Sequence, residues 1–329
     1  MANAAGGAIV PLMKDILTVT LNPALDLSTA TDRVIAGPKL RCDPVAVDPG
    51  GGGINVARVV QALGGRARAF VALAGPSGMR LEAALADHGI PLVRMKAPDE
   101  TRESFAVHDR HSGEQFRFVM PGPQWAESDV AEALQAIASA VPEGGILVLS
   151  GSQPPGVSVD FATRLCEALA PRNAHVIVDT SGEALAYLAE GTSPAPAVLR
   201  MDHVEAEELA GRPLVTRLES AQFAAELVAR GAAERVIVAR GPDGSVMAGP
   251  DGLTQVSAAA VSVVSAVGAG DSFVGAYAHA IASGVGAPEA LALGAAAASA
   301  TVTTPGTSLC TSEMVSDLLP QCGASEILQ

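Results

Sequence analysis

The sequence predicts an α/β fold in which a mostly parallel sheet lies between helices and a small separate β-sheet forms a lid. Short β-branched runs alternate with helical apolar patterns along most of the chain, which is the rhythm of βα units. Between residues 102 and 120 that rhythm gives way to two successive strands, which we interpret as a hairpin. Because we find neither an internal repeat nor a low-complexity linker, we expect residues 13–320 to form one domain.

The elements follow from apolar spacing, with period two or a continuous run for strands and helical spacing for helices. The predicted strands cover residues 16–21, 69–74, 104–110, 115–119, 146–149, 176–178, 196–199, 236–238 and 261–264. The predicted helices include residues 56–63, 81–85, 130–141, 223–228 and an Ala-rich run from Phe273. The lid strands are expected at about residues 32–48 and 102–120, with a disordered extension at residues 1–12 and a C-terminal tail at residues 321–329.

Charge and composition exclude several classes of protein. The 329 residues include 21 Lys and Arg against 35 Asp and Glu, a net charge of −14. A chain this acidic has no excess positive charge to displace counterions, so we expect no nucleic-acid partner. The 4 cysteines are far apart and lack zinc spacing, which fits a reducing cytoplasm. No signal-peptide pattern and no long uninterrupted apolar run occur, so we expect a cytoplasmic protein without membrane association.

The stretch VSVVSAVGAGDSFVG, residues 261–275, is predicted to run from a strand through a glycine turn into a helix. The first turn of a helix exposes free N–H groups and the positive end of the helix dipole, which together bind anions. Asp271 at such a site would repel a phosphate unless it has a task there. General base on an acceptor hydroxyl, beside a transferring phosphoryl group, is such a task. The alternative is that Asp271 only caps the helix.

A second glycine turn, PGGGGIN at residues 49–55, also precedes a helical pattern. Four successive glycines have a high entropic cost, which close approach of the backbone to a ligand would justify. A flexible linker is the alternative, although the helical pattern begins at once. Asn55 would be the polar group at this turn. Neither GxGxxG nor GxxxxGK[ST] occurs, so the sequence indicates neither dinucleotide binding nor a P-loop.

Two other features point to a ligand site. Asp26 comes just after the first predicted strand, at the edge where open α/β sheets bind ligands, although a solvated loop acid is the alternative. Arg102 and Arg117 lie on the predicted hairpin. A basic sheet set apart from the main sheet would suit a lid over an anionic ligand.

These motifs resemble the ribokinase/PfkB family of carbohydrate kinases over about residues 14–320. The likeness rests mainly on PGGGGINVAR at 49–58 and VGAGDSFVGA at 267–276. Within the family the chain is most similar to the bacterial minor-isozyme 6-phosphofructokinase branch, through LNPALD at 21–26, PKLRC at 38–42, SGEQFRFVMPG at 112–122, LSGSQPPG at 149–156, VDTSGEAL at 178–185 and GTSLC at 306–310. The resemblance implies a ribokinase-like three-layer sandwich with a central, mostly parallel sheet and a β-lid.

The resemblance also implies ATP-dependent phosphorylation of the C1 hydroxyl of fructose 6-phosphate, with Mg²⁺ as cofactor. Asp271 would be the general base. The anion hole would be formed by the amides of Gly268, Ala269 and Gly270. The implied substrate-binding residues are Asp26, Gly51, Gly52 and Asn55 for the sugar and Lys39, Arg102 and Ser152 for its 6-phosphate. The implied nucleotide-binding residues are Arg200, Asp202, Gly241 and Gly244, with Glu205 placing Mg²⁺ through water.

Three features depart from the family pattern, all on the nucleotide side. Arg200-Met201-Asp202 stands where Lys-Pro-Asn is usual, Ala239 where Ser or Thr is common, and Ser308 where the close branch has Arg. They leave open a non-catalytic sugar-phosphate binding protein. Tagatose-6-phosphate kinase and 1-phosphofructokinase are the alternatives among enzymes. Because lids of related proteins pair between subunits, the resemblance also implies a homodimer through the β-lid.

Overall fold

Strands and helices alternate through most of the computed structural model, which describes residues 13–323 and the backbone of residues 326–327. The strands are β1 Ile16–Thr20, β2 Ala24–Thr31, β3 Ala46–Gly50, β4 Ala67–Leu73, β5 Leu92–Lys96, β6 Arg102–Asp109, β7 Gln115–Val119, β8 Ile146–Ser150, β9 His175–Asp179, β10 Val198–Asp202, β11 Arg235–Ala239, β12 Ser245–Gly249, β13 Gly252–Val256 and β14 Glu326–Ile327. The helices are α1 Gly52–Ala62, α2 Gly75–Asp87, α3 Glu127–Ala140, α4 Phe161–Leu169, α5 Gly182–Ala189, α6 His203–Ala210, α7 Arg217–Arg230, α8 Ala269–Ala282, α9 Ala287–Thr301 and α10 Ser312–Leu318.

The central sheet has the strand order β14-β13-β12-β11-β10-β9-β8-β1-β4-β5. The seven strands from β11 to β5 run parallel, and β12, β13 and β14 add an antiparallel edge. The second sheet has the order β3-β2-β6-β7, with β2 and β6 parallel and the outer pairs antiparallel. The predicted fold class, an α/β fold with a large, mostly parallel sheet and a smaller β-sheet, is confirmed.

Helices cover both faces of the central sheet, which makes three layers. Strand residues alternate between two aliphatic cores: Ile16 packs with α1, α2 and α8–α10, whereas Leu17 and Val19 pack with α3–α7. Burial on both faces explains why β1, ILTVT, carries apolar residues on both sides of the sheet and has every residue buried. Because parallel strands place all their carboxyl ends at one edge, the loops after β1, β8, β9, β10 and β11 meet there.

Two boundaries differ from those expected. The two lid strands that precede α1 are β2 and β3, so residues 32–45, expected to be strand, connect them instead. Within the expected tail, Glu326 and Ile327 form β14, which pairs antiparallel with β13 and so joins the central sheet. The expected extension, residues 1–12, lies outside the described residues.

No helix in the described part of the chain is long and apolar enough to span a membrane. Within residues 13–323, no group of three or more His, Cys, Asp or Glu side chains is placed to hold a metal ion. All 4 cysteines are free, and Cys166, Cys310 and Cys322 are buried.

Candidate active site

The glycine turn before α8 forms as predicted, but the strand expected at residues 261–264 does not. These residues are part of an irregular segment in which Val263 and Val264 are 64% and 63% exposed. The Val264 amide donates to the carbonyl oxygen of Val302 instead of to a neighbouring strand. β-Branched residues favour extended backbone, but a strand also needs a free sheet edge. Here that edge is taken by β12, β13 and β14.

Gly268 ends this segment in the left-handed conformation (φ 76°) and is the N-cap of α8. A Cβ at this position would lie 2.7 Å from Cδ2 of Leu309 in addition to the strained backbone, so glycine is required here. The first-turn amides of α8 point out of the helix without intrahelical acceptors. The predicted helix N-terminus is therefore present, with Ala269, Gly270 and Asp271 in its first turn.

The Asp271 carboxylate points toward side chains from two other elements. Asn55 Nδ2, in α1, donates to Asp271 Oδ2 at 2.9 Å, and Ser150 Oγ, at the end of β8, lies 3.5 Å from Oδ1. Burial raises the pKa of Asp271 to about 6, which the Asn55 hydrogen bond opposes and the nearby Asp179 charge reinforces. A carboxyl with this pKa is ionised at neutral pH yet basic enough to accept a proton.

A polar chain continues from Asp271 to the nucleotide side. Ser150 Oγ donates to Asp179 Oδ2 at 3.3 Å, and Arg200 Nη1 donates to Asp179 Oδ1 at 3.1 Å. The side chains of Arg200 and Asp179 are both 13% exposed. Burial alone would lower the pKa of Arg200, but the negative charges of Asp179, Glu205 and Asp202 outweigh it and the pKa is raised, so the guanidinium stays charged.

The glycine run before α1 brings backbone against these polar groups. A Cβ on Gly50 would lie 2.1 Å from Oδ2 of Asp26, and one on Gly52 would lie 2.4 Å from Ser150 Oγ. Gly50 ends β3 and Gly52 begins α1, so the run connects the lid to the helix that carries Asn55. The backbone of the glycine run therefore does lie close to other atoms, but the atoms found there belong to protein side chains, whereas the prediction was close approach to a ligand.

Asp26 lies within lid strand β2 rather than in a loop, opposite Asp48 of β3 and Ser104 of β6. Burial raises its pKa, and the positive charges of Arg102 and Arg117 oppose that effect. This carboxylate is therefore placed between the lid arginines and the glycine run. Asp26 is therefore half-buried inside a lid strand, not in a solvated loop, and its predicted role in sugar binding remains a prediction.

A cavity of about 650 Å³ lies between the lid and the central sheet, and its lining includes Arg102 and Ser152. Arg102 Nε and Nη2 donate to the carbonyl oxygen of Asn22 at 3.3 and 3.0 Å, and Asn22 Nδ2 donates to Ser152 Oγ at 3.3 Å. Arg102 and Ser152 are thus brought together as predicted. Lys39 is exposed in the connection between β2 and β3 and lines no cavity described here.

A second cavity, of about 470 Å³, lies over the N-terminus of α8 and the carboxyl ends of β10 and β11. Its lining includes the predicted nucleotide-binding residues Arg200, Asp202, Gly241 and Gly244, and Ala269 and Gly270 of the predicted anion hole. The remaining wall is mostly apolar and includes Val261, Phe273, Ala295, Ala298 and Val302. Arg200 Nε is buried and has no hydrogen-bond partner in the described part of the chain. A guanidinium beside a helix N-terminus, together with an apolar wall, fits a nucleotide with its phosphates.

Asp202 and Glu205 form a capping box at the start of α6. Asp202 Oδ1 accepts from the Glu205 amide at 2.9 Å, and Glu205 Oε2 accepts from the Asp202 amide at 2.8 Å. Burial raises the pKa of Glu205. One carboxylate oxygen of each residue is therefore committed to the helix end, which leaves Glu205 suited to Mg²⁺ through a water, since Mg²⁺ keeps several waters in such sites.

Three residues at the site were not singled out from the sequence: Ser150, Asp179 and Asn22. Ser150 and Asp179 end β8 and β9, and Asn22 follows β1 by two residues. The rule that drew attention to Asp26, a polar residue at the carboxyl end of a buried strand, would have found them too.

Comparison with known proteins agrees with this architecture. The family description "pfkB family carbohydrate kinase" matches residues 18–314. The ATP-dependent 6-phosphofructokinase isozyme 2 of Escherichia coli K12 is 40% identical over 299 residues, which cover 91% of this chain and 96% of that protein. The protein of the same name from Mycobacterium tuberculosis H37Rv is 38% identical over 295 residues, which cover 90% of this chain and 86% of that protein.

A solved structure gives the same picture. The crystal structure of Escherichia coli phosphofructokinase-2 in complex with fructose-6-phosphate has a TM-score of 0.86 at 37% identity, covering 94% of this chain and 99% of that one. The family match spans most of the chain, and the two named relatives are 38% and 40% identical to it over most of their length, which is enough to show a shared family. The chain belongs to the pfkB family of carbohydrate kinases.

Proposed function

We propose that this chain transfers the γ-phosphoryl group of ATP to the C1 hydroxyl of fructose 6-phosphate, forming fructose 1,6-bisphosphate. As a carbohydrate kinase it is a phosphotransferase with an alcohol acceptor, and the proposal concerns which sugar and which hydroxyl. The observation that carries it is the place of Asp271. Its backbone lies in the first turn of the helix under the nucleotide-side cavity, while its carboxylate meets Asn55 of α1 and Ser150 at the end of β8. Relatives at 38–40% identity bear the name 6-phosphofructokinase isozyme 2.

In the proposed reaction Asp271 accepts the proton of the acceptor hydroxyl as that oxygen attacks the γ-phosphorus. Its raised pKa, about 6, suits this role because the carboxylate is ionised at neutral pH but is a stronger base than an exposed Asp. The amides of Gly268, Ala269 and Gly270 donate to the transferring phosphoryl oxygens as negative charge is redistributed among them. General base catalysis of this kind contributes about 10²- to 10⁴-fold in rate.

The sugar phosphate is proposed to lie between the lid and the glycine run. Asp26 accepts hydrogen bonds from sugar hydroxyls, beside Gly51, Gly52 and Asn55. Arg102 and Ser152 donate to the 6-phosphate from the wall of the lid-side cavity. Because Lys39 lines no described cavity, the proposal does not depend on it.

The nucleotide is proposed to lie in the second cavity, with its base against the apolar wall and its phosphates toward Arg200 and the start of α8. Mg²⁺, when bound, would neutralise charge on the ATP phosphates, and Glu205 would hold it through water. Arg200 lines this cavity while its Nη1 stays bonded to Asp179, and its positive charge faces the place proposed for the phosphates. Gly241 and Gly244 shape the loop at the cavity wall.

A homodimer through the lid is also proposed. The lid sheet leaves apolar side chains exposed, and Phe118 and Val119 on β7 are 53% and 61% exposed. A two-layer arrangement with a second copy would cover them and protect the outer strand edge. Light scattering at micromolar concentration should give about twice the chain mass, and a monomer at that concentration would contradict the dimer.

The proposed activity is tested by a coupled assay of ADP release with MgATP. Fructose 6-phosphate, tagatose 6-phosphate and fructose 1-phosphate are compared in parallel, since tagatose-6-phosphate kinase and 1-phosphofructokinase are the alternatives. We expect the highest kcat/KM with fructose 6-phosphate and its loss in Asp271→Asn. Asp87→Asn, an exposed position at the end of α2, is the matched control and should keep full activity. Binding of a sugar phosphate without ADP release from any of the three would favour a binding protein and overturn the proposal.

A further inference from the structure

Asn55 lies between two side chains with opposite hydrogen-bonding needs. Its Nδ2 donates to Asp271 Oδ2 at 2.9 Å, and its Oδ1 accepts from Arg58 Nη1 at 3.2 Å. Arg58 comes three residues after Asn55 in α1, so both side chains lie on the same face of the helix. A guanidinium has donors only and an ionised carboxylate has acceptors only. One orientation of the Asn55 amide therefore satisfies both neighbours, and the opposite one satisfies neither.

We propose that Arg58 is a positioning residue that fixes the Asn55 amide with its N–H directed at Asp271. The inference rests on the proposed role of Asp271 as the base. If the amide turned over, Oδ1 would face Asp271, and a hydrogen bond between them would require a proton on the carboxyl group. The turned orientation thus stabilises the protonated acid, which cannot accept a proton from the sugar. Arg58 excludes it, because its guanidinium cannot accept a hydrogen bond from Nδ2.

The surroundings of Arg58 suit a fixed donor. Arg58 is half-buried, and burial lowers its pKa while the negative charge of Asp48 on β3 opposes that effect. His88, at the end of α2, also faces Arg58, and burial together with Arg58 lowers the pKa of His88. An arginine remains protonated even so, because its unperturbed pKa exceeds about 12. The charged groups that act on Asp271 itself are Asp179 and Arg200.

The test compares pH–rate profiles of variants at Arg58. Arg58→Leu removes the donor and keeps an apolar stem, whereas Arg58→Lys keeps a donor on a flexible stem. We expect Arg58→Leu to lower kcat by about tenfold and to move the acid limb of kcat/KM up by about one pH unit. The KM for fructose 6-phosphate should stay within about threefold, since Arg58 itself is not among the proposed sugar contacts and Asn55 is retained. Arg58→Lys should recover part of both effects. Arg66→Leu, at an exposed position just after α1, is the control and should match the wild type.

Arg58→Gln covers the case in which Arg58→Leu does not fold. A glutamine amide can donate to or accept from Asn55, so it permits both orientations and should also raise the acid limb. A folded Leu or Gln variant with the wild-type acid limb would overturn the inference. The two proposals fail separately: if Asp271→Asn keeps its activity, the base assignment is wrong, whereas an inactive Asp271→Asn with an unmoved acid limb at Arg58 rejects only the positioning role.

Discussion

Replacement of Asp271 by Asn should abolish activity and, at neutral pH, stabilise the fold. The two effects have one origin, because the environment that makes Asp271 a stronger base also makes its ionised form unfavourable. The asparagine introduced by Asp271→Asn would keep an oxygen to accept from Asn55 Nδ2, so the hydrogen bond at 2.9 Å is retained in kind. What is lost is the ionisable group.

The size of the stabilisation follows from the pKa. Burial raises the pKa of Asp271 from 3.8 to about 6, and each pKa unit corresponds to about 1.4 kcal/mol, so ionised Asp271 costs about 3 kcal/mol. Because the folded-state pKa is the higher one, the native state binds the proton more tightly than the unfolded chain. This contribution to stability is fully present below pH 3.8 and is lost as the pH rises through about 6. The Asp271→Asn variant does not ionise at this position, so its stability does not decrease in this pH range for that reason.

The assay is thermal unfolding of the wild type and Asp271→Asn from about pH 5 to pH 8, beside the kinase assay. At about pH 7.5 the variant should melt higher by several degrees, on the order of 5 °C, and the difference should shrink toward about pH 5. Its kcat should fall by about 10²- to 10⁴-fold. Asp87→Asn controls for the change of charge. A lower Tm for Asp271→Asn at neutral pH, or a difference that does not vary with pH, would refute the reasoning.

Three other substitutions test separate parts of the site and the core. Arg102→Leu removes a charged donor from the lid-side cavity, so KM for fructose 6-phosphate should rise by more than about tenfold with a smaller effect on kcat in steady-state kinetics. Gly52→Ala would put Cβ 2.4 Å from Ser150 Oγ and 2.8 Å from a backbone nitrogen, and should lower both kcat and Tm; unchanged kinetics would contradict it. Gly275→Ala gains about 1 kcal/mol of helix propensity but places the new Cβ 2.8 Å from Val59 Cβ. Overpacking costs about 1–3 kcal/mol, so the Tm should fall. An equal or higher Tm would show that α1 and α8 can move apart to make room for the methyl group.

The sequence predicted those parts of the site that depend on local chemistry. The glycine turn at Gly268 and the helix after it depend on residues next to one another, and both form as expected. Arg102 and Ser152 were brought together by family resemblance, and the structure places them on one cavity wall. The strand expected at residues 261–264 was wrong because pairing depends on which sheet edge is free, and β-branched composition carries no information about that.

The lid shows a second limit of the same kind. Strand β2 is parallel to β6 over eight residues, from Ala24 to Thr31, although the two strands lie far apart in the chain. The middle of β2 is half-buried on both faces of the lid, so its sequence, ALDLSTAT, does not need a strict alternation of apolar and polar residues. Without that alternation, the strand has no clear signal in the sequence. The polar links of Ser150 and Asp179 to the base were missed for a related reason. Each is an ordinary residue at a strand end until the parallel sheet aligns those ends.

The departures from the family pattern on the nucleotide side acquire a physical meaning in the fold. Arg200 bonds to Asp179 through Nη1 and lines the nucleotide-side cavity, so one guanidinium adjoins both the polar chain to Asp271 and the place proposed for phosphates. Asp202 adds a carboxylate there, but its Oδ1 caps α6 and accepts from the Glu205 amide, which stabilises the charge locally. The positive charge of Arg200 lowers the pKa of Asp271, and the negative charge of Asp179 raises it. A phosphate bound to Arg200 would offset part of the positive charge that Asp271 experiences. The pKa of Asp271 would then rise, which makes its carboxylate a stronger base. We therefore propose that nucleotide binding and the strength of the base are linked through a single arginine.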